Sequence, residues 1–513
     1  MEQISAPHSF IVTTCLTYLS TFEFAKRKIS SEEELKNFLK EKPFLEYAYE
    51  YWGSHAKVCY EEGGLPNVVS DFLLQLDDYP CVLEEVDFDL FGRCHIAVYY
   101  GLLDRLPATN EWCNQLTTRL NYTPFMLACG RGNEGIVKLL LRRDVDINAQ
   151  SENGRTALIL ASTEGHVSVV KLLVSHNDIA LNTQNEYGWT ALMKASREGH
   201  EVVVGLLLAR NDITINTQAK NGMTALILAS ENGNEAVVQL LVSRNDVALN
   251  IQNEYGWTAL MAASWRGHEA IVGLLLARND ITINTQAING KTTLILASAH
   301  GHEGVVQLLL SHNDVALNMQ DEYGVTALMT ASLNGHEAVV ELLLAHKDII
   351  INAQIEGRTA LILASANGHE GVVQLLLSHN DIVLNIQGKD GWTALFAAST
   401  LGHYAVVKLL LSHHLDVAIN AHARNGQTAL IAASTNGHEA IVRLLRSHND
   451  IPSGTSLRLS NVSCADTNSS ASAQLSPEDN LDHPTQGQSR VETGKRKRVT
   501  QPSTRRLLRT RHA

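Results

Sequence analysis

The chain has 513 residues, 45% hydrophobic and 19% charged, which allows two to four domains and a large core. Residues 451–513 contain ten basic and five acidic residues, so the net charge of −13 divides into +5 for this tail and −18 for residues 1–450. The negative charge of residues 1–450 disfavours the binding of nucleic acid to that part of the chain. Seven cysteines, an odd number without a C-x-x-C pair, exclude a dense disulfide framework, a zinc module and a redox pair.

The N-terminus carries no recognisable targeting signal. It begins with Met1-Glu2-Gln3, which is acidic and lacks the apolar centre of a signal peptide. No apolar run in the chain approaches the ~18 residues that a membrane span needs. We therefore expect a soluble intracellular protein, located in the cytoplasm, the nucleus or both.

Residues 1–89 do not repeat, and their pattern predicts helices. Ser31 is placed to cap a helix over Glu32–Lys40, which has helical spacing of apolar residues. The aromatic-rich stretch Phe44–Ala56 predicts a second, buried helix. One interpretation is that this region is a helical cap or linker that shields the first apolar face of the repeats that follow.

A second interpretation rests on a resemblance. The segments Thr14–Leu19, Pro43–Ala48 and Tyr51–Ala56 resemble the linker between the NTPase and the ankyrin array of fungal NACHT–ankyrin receptors, members of the STAND signalling class. This resemblance implies the sensor half of a truncated or split receptor. The NTPase itself is absent from the sequence, which contains no G-x-x-x-x-G-K-[S/T] phosphate loop; Gly130–Gly135 has the glycines but is followed by Ile136 where lysine is needed.

A phrase of the form G-x-T-x-L recurs along the centre of the chain. Its threonines lie 33–35 residues apart, at Thr123 (in the variant Asn121-Tyr122-Thr123-Pro124-Phe125), Thr156, Thr190, Thr224, Thr258, Thr292, Thr326, Thr359, Thr393 and Thr428. A degenerate unit precedes them at Gly92–Ala97. The repeats therefore occupy residues 90–450, with a degenerate first repeat at 90–120 and ten clear repeats from residue 121.

Each repeat predicts two short helices and a turn. In the unit of Thr190, the threonine is placed to cap a first helix over Ala191–Ser196, and Gly199 is placed to end it. Glu201 then opens a second helix, in which Val202–Leu208 supplies a wide apolar face. A single unit cannot bury that face alone, so we expect the units to stack into an all-α solenoid.

These motifs resemble the ankyrin repeat. The resemblance rests on the G-x-T-x-L turn, the A-S that ends helix one, the V-V-x-L-L-L of helix two and a Gly-His pair, whose histidines are His166, His200, His268, His302, His336, His369, His403 and His438, with Asn234 as an exception. It implies about ten to eleven helix–turn–helix units joined by hairpins. The family's T-P-L-H is replaced by T-A-L-I or T-A-L-M, and most units carry an extra residue in the stretch S-H-N-D-I-x-L-N.

A second period of two repeats lies on top of the first. Residues 185–252 and 253–320 are nearly the same phrase, so that Asn185–Trp189 recurs as Asn253–Trp257. This near-identity indicates a duplicated two-repeat block. It predicts a surface whose features recur at every second repeat.

The residues provide no recognisable catalytic or metal site. Most histidines recur with the repeat period, which indicates a structural role in turns and hydrogen bonds between repeats. The sequence contains none of three catalytic motifs, which are G-x-S-x-G, H-E-x-x-H and a cysteine matched with a histidine. We therefore expect a non-enzymatic protein without a cofactor or metal.

The surface of the array remains as the candidate site, because the hairpin tips and first helices of a solenoid line an extended groove. The variable aromatic residues of that groove are predicted to contact a protein partner: Tyr187, Trp189, Tyr255, Trp257, Trp265, Tyr323 and Trp392. The alternative is that Trp189, Trp257 and Trp392 pack flat against the neighbouring turn. Arg155, Lys291 and Gln427 occupy the same turn position in other units, which indicates partial exposure.

Residues 451–513 differ in composition from the rest of the chain. They lack Phe, Trp and Tyr and are rich in Ser, Thr, Asn and Gln, which predicts disorder. The basic residues near the end form a candidate nuclear-import or phosphate-binding segment: Lys495, Arg496, Lys497, Arg498, Arg505 and Arg506, followed by Arg509 and Arg511. A solvated basic tail without such a role is the alternative.

Three functions are therefore open. The first is a scaffold that binds a protein partner, of unknown identity, along the groove of the array. The second is the ligand-sensing half of a NACHT-type immune or self/non-self receptor. The third is a nuclear regulator whose tail contacts nucleic acid in a salt-dependent manner.

Overall fold

The computed structural model describes residues 7–24, 29–40, 44–76, 79–83, 86–102, 120–412 and 417–448. Its N-terminal part consists of helices and one antiparallel hairpin. These elements are α1 (Pro7–Thr21), α2 (Glu32–Lys40), α3 (Leu45–Glu61), α4 (Asn67–Leu74), β1 (Tyr79–Leu83), β2 (Val86–Phe91) and α5 (Arg93–Tyr99).

The β1–β2 hairpin differs from the purely helical region predicted for residues 1–89. Tyr79 pairs with Phe91 across the hairpin, and both side chains are buried. The indole Nε1 of Trp52 donates a hydrogen bond of 3.0 Å to the Tyr79 hydroxyl. The alternation of apolar and acidic residues in Val86–Leu90 is typical of a strand, so the hairpin has a sequence signal that the helical prediction did not use.

Helix α3 packs against Tyr100, the residue that caps the C-terminal end of α5 in the degenerate repeat. A Cβ atom at Gly53 would lie 2.2 Å from the Tyr100 ring, so this close contact requires glycine. The His95 Nε2 atom of α5 lies 2.8 Å from the carbonyl oxygen of Tyr122, which opens the next unit. The N-terminal helices thus join the array through a packed and hydrogen-bonded junction.

Each unit from Thr123 onward contributes two helices. The first helices are α6 (Pro124–Gly130), α8 (Ala157–Thr163), α10 (Ala191–Glu198), α12 (Ala225–Glu231), α14 (Ala259–Arg266), α16 (Thr293–Ala299), α18 (Ala327–Asn334), α20 (Ala360–Asn367), α22 (Ala394–Leu401) and α24 (Ala429–Thr435). The second helices are α7 (Glu134–Leu141), α9 (Val167–Val174), α11 (Glu201–Leu208), α13 (Glu235–Val242), α15 (Glu269–Leu276), α17 (Glu303–Leu310), α19 (Glu337–Leu344), α21 (Glu370–Leu377), α23 (Tyr404–Ser412) and α25 (Glu439–Ser447).

The predicted helix caps of the repeat are confirmed, although α10 runs two residues beyond the predicted Ala191–Ser196. Thr190 Oγ1 accepts a hydrogen bond from the backbone N–H of Met193, and Gly199 ends α10 with a φ of 78°. A threonine caps the first helix in the same way in every unit from Thr123 to Thr428. One continuous hydrophobic core runs from Val12 to Leu445, with a small second cluster around Phe396 near the C-terminal end, which confirms the solenoid.

The stretch that contains the extra residue forms a ladder between repeats. Asn182 Nδ2 donates to the carbonyl oxygen of Asp212 at 2.8 Å, and Asn182 Oδ1 accepts from the N–H of Thr214 at 2.9 Å. The same two hydrogen bonds recur at each equivalent position from Asn148 to Asn352. This stretch is therefore tied to the neighbouring units by regular hydrogen bonds and is not a loose loop.

Candidate protein-binding surface

The hairpin tip of each unit is held by its own backbone and by the next tip. In the unit of Thr190, Asn185 Oδ1 accepts hydrogen bonds from the N–H groups of Tyr187 and Trp189, at 3.0 and 2.9 Å. Gly188 has a φ of 80°, which favours glycine. The N–H of Lys220 in the following tip donates to the carbonyl oxygen of Tyr187 at 3.0 Å. The tip backbone is thus cross-linked from repeat to repeat.

Three of the aromatic residues predicted to contact a partner lie exposed on these tips. The exposed fractions are 44% for Tyr187, 39% for Tyr255 and 55% for Tyr323. Asn221 and Asn289 occupy the same position in the two intervening tips. The tyrosines therefore recur at every second repeat, as the duplicated block predicts.

The tryptophans have a different environment. Trp189 and Trp257 are each only 7% exposed, so the packing alternative describes them. Lys194 Nζ lies 4.4 Å from the centroid of the Trp189 ring, and the Arg197 guanidinium lies 5.3 Å from it. Trp392 is half-buried and packs on Phe396, with ring centroids 5.1 Å apart.

Trp265 belongs to a cluster that does not repeat. It is 7% exposed and meets Trp257 edge to face, with ring centroids 5.5 Å apart. The Arg266 guanidinium lies 4.0 Å from the Trp265 centroid and 3.7 Å from the carboxylate of Glu231. Burial raises the pKa of Glu231, although Arg266 and Arg197 oppose the effect.

His300 completes this cluster against the other side of Trp265. The two ring centroids are 5.9 Å apart, and burial lowers the pKa of His300 to about 4. At neutral pH the imidazole is therefore uncharged. Of the residues in this cluster, the sequence predicts only Trp265, because the repeat motif leaves the positions of Glu231, Arg266 and His300 variable.

The histidines of the Gly-His pairs have the structural role that their period predicts. Each Nε2 atom lies 2.9–3.2 Å from a backbone carbonyl oxygen of the preceding repeat. Asn234 occupies the position of this histidine in its unit. Its Nδ2 donates two hydrogen bonds of 2.8 Å, to the carbonyl oxygens of Ser196 and Arg197. These rings bind the units together and do not form a cluster for chemistry.

Other sources of chemistry are also unsupported among the described residues. They contain no group of three or more His, Cys, Asp or Glu side chains that would hold a metal ion. Burial raises the pKa of the Cys15 thiol to about 11 and that of Cys129 well above its usual value, so neither is an activated nucleophile. No helix in the described ranges is long and apolar enough to cross a membrane.

Asp321 provides a test of the tip geometry. Its carboxylate accepts hydrogen bonds from the N–H groups of Tyr323 and Val325, at 3.0 and 2.8 Å, as Asn185 and Asn253 do in their tips. The side chain is buried, and this burial raises its pKa. An acid whose pKa is raised by folding stabilises the fold at low pH and loses that contribution as the pH rises through its folded pKa.

We therefore expect Asp321→Asn to raise the melting temperature at pH 7 by about 1–2 °C. The gain should shrink toward zero as the pH falls below about 4, because the wild-type carboxyl is then protonated. Asn253→Asp is the matched control and should show the opposite sign at pH 7. Thermal melts of the three proteins between pH 3 and 8 measure this, and a gain for Asp321→Asn that is independent of pH would contradict it.

The candidate import residues Lys495, Arg496, Lys497, Arg498, Arg505 and Arg506 lie outside the described residues, as does all of 451–513. Their role stays a prediction.

The comparisons with known proteins agree with the fold. The family model "Ankyrin repeats (3 copies)" matches in overlapping segments that together cover residues 94–455. Inversin from Mus musculus is 49% identical over 53 residues, and inversin from Danio rerio is 44% identical over 54 residues; each match covers 10% of this chain and 5% of inversin. The human ankyrin repeat domain-containing protein 63 is 37% identical over 87 residues, which is 16% of this chain and 22% of that protein.

The chain thus spans about one-twentieth of inversin and about one-fifth of the second relative. The family model, in contrast, covers more than half of the chain, and its segments coincide with the stacked helix pairs and hydrogen-bonded hairpins described above. The chain belongs to the ankyrin-repeat family.

Proposed function

We propose that this protein is a non-enzymatic scaffold that binds a protein partner along the groove edge formed by its hairpin tips. The observation that supports the proposal is the exposure of Tyr187, Tyr255 and Tyr323 on a backbone that is hydrogen-bonded from tip to tip. Tyrosine offers a large contact area with few rotatable bonds, so it loses little conformational entropy on binding. Ankyrin repeats in general are protein-binding folds without catalytic activity.

The spacing of the tyrosines indicates the form of the partner. Consecutive tyrosines are separated by two repeats, which corresponds to roughly 20 Å if neighbouring helices lie about 10 Å apart. A small ligand does not reach two such side chains. The proposal therefore requires a partner with an extended contact surface.

The buried tryptophans have a supporting role in this proposal. Trp189 and Trp257 are buried next to the tips and contact Lys194 of α10 and Trp265 of α14, respectively. Their substitution should disturb binding through packing and not by the loss of a direct contact. The tyrosines are thus the better residues for a binding test.

The test replaces Tyr187, Tyr255 and Tyr323 together by asparagine, which the chain itself uses at positions 221 and 289. We expect the triple variant to fold normally and to bind a captured partner at least about tenfold more weakly, because exposed aromatic residues dominate binding energy. Tyr404→Asn is the control, since Tyr404 is 46% exposed on α23, away from the tips.

The measurement has two steps. Partners are first captured from a native extract with the wild-type protein, and the dissociation constant of each purified partner is then measured by calorimetry against the variants. Equal affinity of the wild type and the triple variant would refute the role of the tips. The two finer functions predicted from the sequence, as part of a NACHT-type receptor and as a nuclear regulator, stay predictions.

A further inference from the structure

The first exposed residue of each hairpin tip forms a line along the array, which we call the tip row. Its nine members are Glu152, Glu186, Lys220, Glu254, Ile288, Glu322, Glu356, Lys389 and Arg424, and all are exposed. Eight of them donate their backbone N–H to the preceding tip; Glu356, in a hairpin one residue shorter, has instead a φ of 50°. Because the backbone is tied in this way, the side chains of the tip row keep a regular order.

The charges of the tip row complement the same row read in the opposite direction. Ile288 is the fifth of the nine residues and lies at the centre of the row. We propose that two copies of this chain associate through their tip rows, antiparallel, about a twofold axis at Ile288. The opposed pairs are then Glu152 with Arg424, Glu186 with Lys389, Lys220 with Glu356, Glu254 with Glu322, and Ile288 with itself.

Twofold symmetry makes every unlike pair occur twice, so charge complementarity counts double. Three of the four charged pairings in this register are attractive, and Glu254 with Glu322 is repulsive. If the second copy is displaced along the row by one tip, like charges face each other. Glu186 then faces Glu356 for a displacement in one direction, and Lys220 faces Lys389 for a displacement in the other. A parallel arrangement would place every charge against itself. The charge order thus favours the antiparallel register centred on Ile288.

The centre of the row is apolar and aromatic. Ile288 is 74% exposed, the highest value among the large apolar side chains in the described part of the chain. In the proposed register, Tyr255 faces Tyr323 of the second copy. Burial of Ile288 against Ile288 of the second copy removes apolar surface from water, which favours association. Aromatic residues such as these tyrosines are common in the centres of interfaces.

One existing ion pair fits the proposed arrangement. Lys389 Nζ lies 2.9 Å from the Glu356 carboxylate in the same chain, and this contact lowers the pKa of Glu356. In the antiparallel register, Glu186 and Lys220 of the second copy flank this pair. The four residues then form a two-by-two group, with two residues from each chain, in which neighbouring charges are opposite, and such a group is more favourable than two isolated surface pairs.

The size of the surface predicts a weak dimer. A stable interface uses about 20–30 residues from each partner, and nine tips with one or two exposed side chains each fall below that number. We therefore expect association in the micromolar range that weakens at high salt, because exposed ion pairs are screened. This self-association goes beyond the proposed function and does not depend on it.

The first experiment is sedimentation velocity of the full chain over about 1–100 µM. We expect a monomer–dimer equilibrium for the wild type and a dissociation constant at least about tenfold higher for Ile288→Asp, which places two carboxylates on the axis. A wild type that remains monomeric at all concentrations would overturn the proposal. A dimer that is unaffected by Ile288→Asp would overturn it as well.

A charge exchange tests the register itself. Lys220→Glu and Glu356→Lys should each weaken self-association, since each opposes like charges across the axis. An equimolar mixture of the two variants should restore wild-type dimerisation, because the introduced glutamate of one chain then faces the introduced lysine of the other, and the native pair remains on the other side of the axis. A mixture that associates no better than its components would refute the register.

Lys171→Glu on α9 is the control, because it makes the same charge change on an exposed residue outside the tip row. It should dimerise as the wild type does. Circular dichroism of every variant confirms that the fold is intact. Ile288→Asp also separates this proposal from the binding function, since a monomeric variant that still captures a partner through its tyrosines leaves that function standing.

Discussion

Alanine in place of Gly267 is expected to lower the free energy of unfolding by about 2–3 kcal/mol. Gly267 ends α14 with a φ of 76°, a conformation that costs any residue with a side chain about 1–2 kcal/mol. A Cβ atom there would also lie 2.5 Å from Nδ1 of His302. The ring would have to move and give up its contact of 2.9 Å with the carbonyl of Trp265.

Gly273→Ala is the matched control for this prediction. Gly273 lies within α15 of the same unit, and a Cβ atom there would meet nothing within 4 Å. Alanine is a better helix former, so the control should stabilise the protein by about 0.5–1 kcal/mol. Urea denaturation of both variants gives the two values with opposite signs. A destabilisation by Gly273→Ala as large as that by Gly267→Ala would contradict the argument.

A double-mutant cycle identifies the cause of the loss. If the clash with His302 contributes, Gly267→Ala should cost less in a protein that already carries His302→Ala. The remaining cost should approach that of the backbone conformation alone, about 1–2 kcal/mol. Hydrogen exchange should show the loss at the junction between α14 and α16, because each repeat contacts only its neighbours. Full additivity would exclude the ring contact as a cause.

Replacement of a row of buried serines by alanine is expected to stabilise the protein strongly. The hydroxyls of these serines, in the A-S that ends helix one, are buried without a hydrogen-bond partner: Ser162, Ser196, Ser230, Ser264, Ser298, Ser332, Ser365 and Ser399. A buried polar group without a partner costs about 1–3 kcal/mol. Removal of the hydroxyl leaves little empty space, and alanine also favours the helix.

We expect a gain of about 1 kcal/mol for Ser264→Ala alone and a rise in melting temperature of about 10 °C for all eight substitutions together. The chain already accepts a different residue at this position, since Cys129 occupies it in the first clear unit. Ser434→Ala is the control, because Ser434 has the same place in α24 but is exposed at the end of the array. Scanning calorimetry measures all three; a loss of stability for Ser264→Ala would show that its hydroxyl is satisfied in solution.

The sequence predicts the parts of this molecule that repeat. The same residue types recur at one period because identical local environments demand identical residues. This period predicts that Thr190 caps a helix, that Gly199 ends it and that His200 bonds two repeats. The period also predicts exposed side chains at alternate tips. Such features depend only on positions within one unit and its neighbour.

The features that the sequence did not predict depend on residues that differ between neighbouring units. Trp189 and Trp257 occupy a turn position at which other units have Arg155 or Lys291. Because charged residues occur there, the sequence predicts that the tryptophan side chains are partly exposed. Their burial follows from individual neighbours, Lys194 beside one ring and Trp265 beside the other. The hydrogen bonds of Asn182 are not predicted from the sequence, because they join its side chain to backbone groups of the next unit, at Asp212 and Thr214.

The uniformity of the junctions has a consequence for the length of the chain. Asn182 and the equivalent asparagines each donate a hydrogen bond to a backbone carbonyl oxygen 29 or 30 residues ahead. Residues 185–252 and 253–320 are also nearly identical in sequence. Recombination between the two copies would remove or add 68 residues and would place the same asparagine opposite the same backbone groups at the new boundary. We therefore expect the gene to tolerate changes in two-repeat steps, each of which adds or removes one exposed tyrosine, while its product still folds.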